Sequence, residues 1–333
     1  MRHAEGRLGP PPPFDHELAG PIRDIVAGLP GPLTFDLIAD RRTRTISGSL
    51  SDEQIRRCGA FDVEERIVPG PPGAPGIPLL ICRPAATAGP YPVIYNTHGG
   101  GMVAGNNRTV ELADELDRAA ALGLAVVAVD YRLAPEHPDP APVLDCYAGL
   151  IWVADHGTTM GLDPDRIVIS GNSAGGCLAA GVSLLARDRG GPALIGQMLQ
   201  CPMLDDRCDQ PSQRQLAGTG LWDGLSNLTG WTALLGQRRG TDDVSCYAAP
   251  ARAIDVAGLP PAFIDVGSVE ALRDEAVAYA TRIWQAGGEA ELHVWSGAFH
   301  SFDEWVPDAV VSGTARRARQ DWLRRLLDRQ ARI

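Results

Sequence analysis

Residues 171–175 read Gly-Asn-Ser-Ala-Gly, between an apolar run and a long helical pattern. Small residues at 171 and 175 allow a sharp bend. Ser173 would then stand on a strained strand-to-helix turn, its hydroxyl exposed above a helix N-terminus, as a nucleophile for acyl transfer. A second group, His98-Gly99-Gly100-Gly101, follows the apolar run Pro92 to Asn96. Consecutive glycines let main-chain N–H groups face a developing oxyanion with no side chain in the way, and losing one such donor typically costs ~10²- to 10³-fold in rate. Gly100, Gly101 and the amide of Ala174 are the candidate donors. His98 and Gly99 read as the support of that loop.

A different chemistry can be read from the same stretch. Gly99-x-Gly101-x-x-Ala104, a helix, and then Ala125 to Val129 ending in Asp130 imitate a dinucleotide fingerprint with its ribose-binding acid. Those glycines follow the third strand rather than opening an N-terminal unit, and nothing else in the chain supplies a hydride-transfer site. Composition removes other classes. All 30 basic residues are Arg and none is Lys, which excludes a Gly-Lys-Ser/Thr phosphate loop, a pyridoxal Schiff base, a lysine aldolase and a protein kinase. A net charge of −11 argues against nucleic acid and anionic membranes as partners, since that affinity comes mainly from released counterions.

Seven scattered Cys never form Cys-x-x-Cys, which points to reduced thiols and a cytoplasmic setting. The seven His show no His-x-x-x-His or Cys/His pairing, so His3, His16, His137, His156 and His293 read as solvated or core-satisfied. Neither a metal nor a cofactor is expected. The uncharged stretch Ile167 to Ala186 has membrane-spanning length, but the turn at 170–176 splits it into a buried strand and a helix.

Short β-branched runs alternating with helical patterns predict an α/β fold, a mostly parallel sheet flanked by helices. Eight strands are expected: Val63 to Val68, Pro78 to Cys82, Pro92 to Asn96, Ala125 to Asp130, Arg166 to Ser170, Gln197 to Cys201, Pro261 to Val266 and Glu291 to Trp295. The Pro/Gly-rich stretch 69–76 predicts a hairpin between the first two. Helices fit Val110 to Leu122, Val143 to Asp155, Ala174 to Asp188, Asp274 to Ala286 and Val310 to Leu327. Residues 1–50 and 205–255 fall outside the alternation and would form a helical cap over a core made of 51–204 and 256–333. Leu225, Leu228, Trp231 and Leu235 lie at helical spacing in the second insertion, either packing on a core or roofing a pocket.

The chain resembles the bacterial hormone-sensitive-lipase-like carboxylesterases (family IV, α/β-hydrolase fold). The likeness rests on His98 to Gly101, Asp130-Tyr131-Arg132-Leu133-Ala134-Pro135-Glu136-His137-Pro138, Gly171 to Gly175 and Leu272-Arg273-Asp274-Glu275, which stand in family order. The resemblance implies an acid three residues before Arg273, which is Glu270, and a base after the eighth strand, which is His300. Asp265, Asp274 and Asp303 lie near the same region. Asp265 falls inside a strand, Asp303 follows the His, and Asp274 begins a helix that it could cap. The chain departs from the family at Glu270 for Asp, Ser301 for Gly, Met102 for an aromatic and Asn172 for the more frequent Asp or Thr. Met102 and Asn172, with Trp222 and Trp231, are expected on the substrate pocket. Tyr131 to Pro138 reads as a buried turn beneath the oxyanion loop.

The implied function is a serine esterase for small-molecule carboxylic esters of short to medium chain, acting through an acyl-enzyme. An amide or arylformamide hydrolase would use the same groups, and a non-catalytic ligand-binding protein of this fold usually lacks the His that His300 supplies. The oligomeric state stays open, with a homodimer among the options.

Overall fold

The computed structural model describes residues 8–330. Eight strands form one sheet: β1 (Phe61–Val68), β2 (Ile77–Pro84), β3 (Tyr91–Thr97), β4 (Ala125–Val129), β5 (Leu162–Asn172), β6 (Gly196–Gln200), β7 (Ala262–Gly267) and β8 (Ala290–Trp295). The helices are α1 (Ala19–Ala27), α2 (Ile38–Ser47), α3 (Asp52–Arg56), α4 (Leu112–Leu122), α5 (Ala141–His156), α6 (Ala174–Arg189), α7 (Pro211–Gln215), α8 (Gly224–Leu235), α9 (Arg273–Gln285), α10 (Phe302–Trp305) and α11 (Val310–Gln330).

The strand order is β1-β2-β4-β3-β5-β6-β7-β8. β1 pairs with β2, and β2 with β4, in antiparallel sense, and every other pairing is parallel. The hairpin predicted at 69–76 is present. Alternation along the strands sends side chains to two cores. Val127 and Val129 join Val93 and Tyr95 on one face, under α5, α6 and α9; Val126, Ala128 and Ile94 lie on the other, under α4 and α11. A sheet covered on both faces needs near-continuous apolar strands, which is why Ala125–Val129 is buried at all five positions.

Strand ends differ from the sequence reading in ways the backbone explains. β6 stops at Gln200 because Cys201 takes φ +36°, which turns the chain out of the ladder. β4 stops at Val129: the Asp130 N–H still donates to the Pro78 carbonyl opposite it, but Pro78 has no N–H to return the bond. α6 is buried on nearly every side, which accounts for the uncharged run that opens at Ile167. Among the described residues no helix is long and apolar enough to cross a membrane.

Candidate active site

The end of β5 and the start of α6 meet at Ser173, whose φ of 57° and ψ of −116° lie far from either element. The surrounding glycines are sterically compelled. A Cβ on Gly175 would sit 1.9 Å from the Thr97 carbonyl oxygen, and one on Gly171 would sit 2.3 Å from the Gly175 backbone. Backbone hydrogen bonds hold the turn: Ser173 N–H donates to Gln200 O at 2.8 Å, and Met203 N–H donates to Ser173 O at 3.0 Å. The strained serine is thus over-determined by β3, β6 and the chain that follows β6.

Two loops after later strands complete a line of contacts. His300 Nε2 lies 2.9 Å from Ser173 Oγ, and its Nδ1 lies 3.0 Å from Glu270 Oε1. Glu270 Oε2 accepts the Gly267 N–H at 2.9 Å, which fixes the carboxylate at the end of β7. All three residues are buried, Glu270 at 2% exposure. The competing acids are committed elsewhere. Arg319 takes both Asp265 (2.7 Å) and Asp303 in a buried ion cluster, and Trp295 Nε1 donates to Asp265. Asp274 sits in the first turn of α9, but its carboxylate reaches across to accept the Ser212 N–H of α7 at 2.7 Å, so it ties the insertion to the core rather than capping its own helix.

The glycine loop faces this line. Gly100 (φ +113°) and Gly101 (φ +64°) take conformations that favour glycine, and a Cβ on Gly101 would meet the Trp222 ring at 2.3 Å. Among the described residues the N–H groups of Gly100 and Gly101 donate to no protein acceptor, and Ala174, first in α6, has none within its helix. Three donors are therefore available near Ser173. His98 stacks on Tyr131 with ring centroids 4.1 Å apart, its Nδ1 meets Gly99 O at 2.8 Å, and the Tyr131 hydroxyl donates to His98 O at 2.8 Å. Burial lowers the His98 pKa to about 4, so the ring is neutral and acts as a brace. Ala134 N–H donates to Met102 O, so the segment Tyr131 to Pro138 does support this loop.

Above Ser173 lies a cavity of about 530 Å3, lined by Asn172 and Trp222 of the four residues expected there, and by His300 and Ser301. Met102 and Trp231 are not on its wall. Met102 is fully buried beneath the glycine loop, and Trp231 packs in the main core because Gly230, its neighbour on α8, is the residue that approaches Gly101 and Trp222. The Leu/Trp periodicity on α8 therefore marks a packing face, with Leu225 turned outward. Sequence reasoning missed Ile25, Leu29, Arg41, Glu111, Glu304 and Trp305, all of which line the cavity. Irregular N-terminal sequence offers no periodicity that would have found the first three.

Ser301, where the family has glycine, holds φ 55° and ψ 32° in the left-handed region, and its hydroxyl donates to Asn172 Oδ1 at 3.3 Å. The family's glycine thus has a backbone reason, and this chain meets the same turn with a side chain that bonds Asn172, the residue before Ser173. Among the described residues one set of possible metal ligands converges, Cys201, Glu270 and His300, whose ligand atoms lie within 4.8 Å of one another. Sequence spacing could not have shown it. Two of its members are already engaged in the line to Ser173, and His16, His137 and His156 are exposed singly while His3 lies outside the described residues.

A family model for the α/β-hydrolase fold matches residues 94–304, which contain every residue of the line and loop above. The chain belongs to the hormone-sensitive-lipase-like α/β hydrolases. This hydrolase is 37% identical over 260 residues to carboxylesterase NlhH of Mycobacterium tuberculosis, covering 76% of this chain and 80% of that one. It is 31% identical over 213 residues to an arylesterase of Saccharolobus solfataricus, covering 63% and 68%. Among solved structures, a bacterial heroin esterase superposes with a TM-score of 0.85 at 37% identity, covering 94% of this chain and 98% of that one.

Proposed function

We propose that this carboxylic ester hydrolase works through Ser173 as nucleophile, His300 as general base and Glu270 as the acid that orients His300. The single observation that carries the reading is the continuous line Glu270–His300–Ser173, at 3.0 and 2.9 Å, beneath a cavity faced by the glycine loop. His300 takes the Ser173 proton as Oγ attacks the ester carbonyl. The oxyanion is held by Gly100, Gly101 and Ala174 N–H groups, and the alcohol leaves with the proton from His300. Water, deprotonated by His300 in turn, then hydrolyses the acyl-enzyme. Glu270 stabilises the imidazolium and keeps Nδ1 protonated so that Nε2 is free to accept.

A cavity of about 530 Å3, walled by α1, α2 and the insertion that carries Trp222, suits a short to medium acyl chain with its alcohol. The names of the arylesterase and heroin esterase relatives support aromatic leaving groups of short acids as good substrates. Seven cysteines without a disulfide support a cytoplasmic setting. The test is a p-nitrophenyl ester series from acetate to palmitate, measured in EDTA. Activity should persist from acetate to hexanoate and fall sharply beyond about ten carbons. Equal kcat/KM for butyrate and palmitate would reject the restricted cavity, and loss of activity in EDTA restored by a divalent ion would reject a metal-free mechanism.

A further inference from the structure

Glu111 stands at the start of α4, twelve residues after Gly99, and returns to the glycine loop. Its Oε1 accepts the Gly99 N–H in a close contact. A Cβ on Gly99 would lie 3.1 Å from Asn172 O and 3.3 Å from Glu111 Oε1, so this carboxyl fills the seam between the glycine loop and the nucleophile turn. It also lines the catalytic cavity together with Ser173 and His300. Three of its acidic neighbours own an arginine: Glu115 pairs with Arg118 at 3.0 Å, Asp114 with Arg316 at 3.0 Å and Asp303 with Arg319. Among the described residues Glu111 forms no ion pair, and the Gly99 N–H is what holds it in place.

Resting on the triad and oxyanion reading above, we propose that Glu111 is a positioning residue of the oxyanion loop, fixing the Gly99 peptide so that the N–H groups of Gly100 and Gly101 stay aimed at the reacting carbonyl. The geometry requires an acceptor at this point. A buried Gly99 N–H left without one would favour rotation of the 98–99 peptide, and each degree of rotation is passed on to the two donors that follow. Two electrostatic effects of the carboxylate oppose each other, attraction for the His300 imidazolium and repulsion of the oxyanion. What remains is its hold on Gly99, which is stronger when Glu111 is ionised, because charge-assisted hydrogen bonds are roughly twice as strong as neutral ones.

Burial raises the Glu111 pKa to about 6, against the favourable pull of the Gly99 N–H, the Thr109 hydroxyl and His300, and with Glu115 adding to the rise. The other groups around this corner are Glu304 of α10, whose burial pushes it well above the usual carboxylate range, the paired Asp114 and Asp303, and Arg41 of α2. Proton uptake at Glu111 as pH falls through about 6 weakens the hold, so turnover should lose activity there in addition to the loss from protonating His300.

The experiment compares kcat and KM for p-nitrophenyl butyrate between pH 5 and 9 in the wild type, Glu111→Gln, Glu111→Ala and Ser173→Ala. Gln keeps an acceptor for Gly99 and mimics the protonated acid, so it should fold and lose about tenfold in kcat at pH 8 with KM within about twofold. Ala should lose about a hundredfold, the lower end of the cost of an oxyanion donor. The wild-type acid limb should show two ionisations and that of Glu111→Gln one. Should Ala not fold, Gln alone decides. Unchanged kcat in Glu111→Gln, a loss confined to KM, or a two-ionisation limb retained in that variant overturns the assignment. An active Ser173→Ala variant overturns the triad reading itself, a result distinguishable from all of these.

Discussion

Replacing Glu270 by Gln tests the acid through its hydrogen-bond polarity. Glu270 uses both oxygens, Oε2 accepting from Gly267 N–H at 2.9 Å and Oε1 facing His300 Nδ1 at 3.0 Å. A carboxamide in that place keeps its oxygen toward Gly267, since an NH2 there would confront another donor. Its NH2 is then turned to His300 and demands a lone pair on Nδ1. The imidazole must carry its proton on Nε2, the atom 2.9 Å from Ser173 Oγ, and can no longer accept the serine proton. Shape and volume are conserved, so the fold should stand. The analogous tautomer inversion in a serine protease triad lowers kcat ~10⁴-fold, about 5 kcal/mol of transition-state stabilisation. The assay is kcat on p-nitrophenyl butyrate beside circular dichroism and Tm. Asp274→Asn is the companion. It loses part of its hold on the Ser212 N–H and should lower Tm while leaving kcat within a few-fold. Near wild-type turnover in Glu270→Gln, together with a folded but inactive Asp274→Asn, would refute the reasoning.

Arg319→Met should destabilise the protein by about 3–5 kcal/mol in urea unfolding, because Asp265 and Asp303 would be left as buried carboxylates without their cation; a change below 1 kcal/mol would show that the pair is worth little. His98 makes stability pH-dependent. Its folded pKa, about 4, lies below the ordinary 6.5, so its contribution is full above pH 6.5 and lost as pH falls toward 4, on the order of 3 kcal/mol. A His98→Phe variant should show a flatter stability profile over that window, and an unaltered slope would assign the effect to other groups.

The parallel sheet was legible because strands buried on both faces must be apolar throughout, as β4 is, and because Gly171, Gly175 and the glycine loop have steric reasons that sequence spacing already expresses. Strand ends were less legible. The turn at Cys201 depends on a left-handed backbone for a residue type with no preference for it, and β5 begins at Leu162, before the pattern at Arg166 suggests, because Tyr91 pairs with Leu162 across a register shift. Trp231 shows why periodicity cannot tell a pocket roof from a core. Both bury an aromatic, and only the position of Gly230 against Gly101 decides which face of α8 looks at the site. Glu111 left no trace in the sequence, since an acid at a helix start reads as a partner of the helix dipole.

Arg42 of α2 donates to the carbonyl of Val103 at 2.7 Å and to that of Ala134 at 2.8 Å, and pairs with Glu136 at 2.6 Å. Four hydrogen bonds from one side chain, two of them to Glu136, pin α2 to the loop that follows the glycines and to the turn at 134–136, while Ile25, Leu29 and Thr45 of the N-terminal segment face the cavity. Part of the cavity wall therefore comes from a stretch of chain separate from Ser173, Glu270 and His300, and Arg42 anchors it beside the Leu33 N–H to Ser226 bond, the Leu50 N–H to Arg108 bond and the packing of Leu18 and Ile22 on Phe299 and Phe302. A library confined to residues 25, 29 and 45 can reshape which esters enter without touching a group that moves a proton. Arg42→Ala would loosen α2 against the loop at Val103 while those other anchors keep α1 seated on the core.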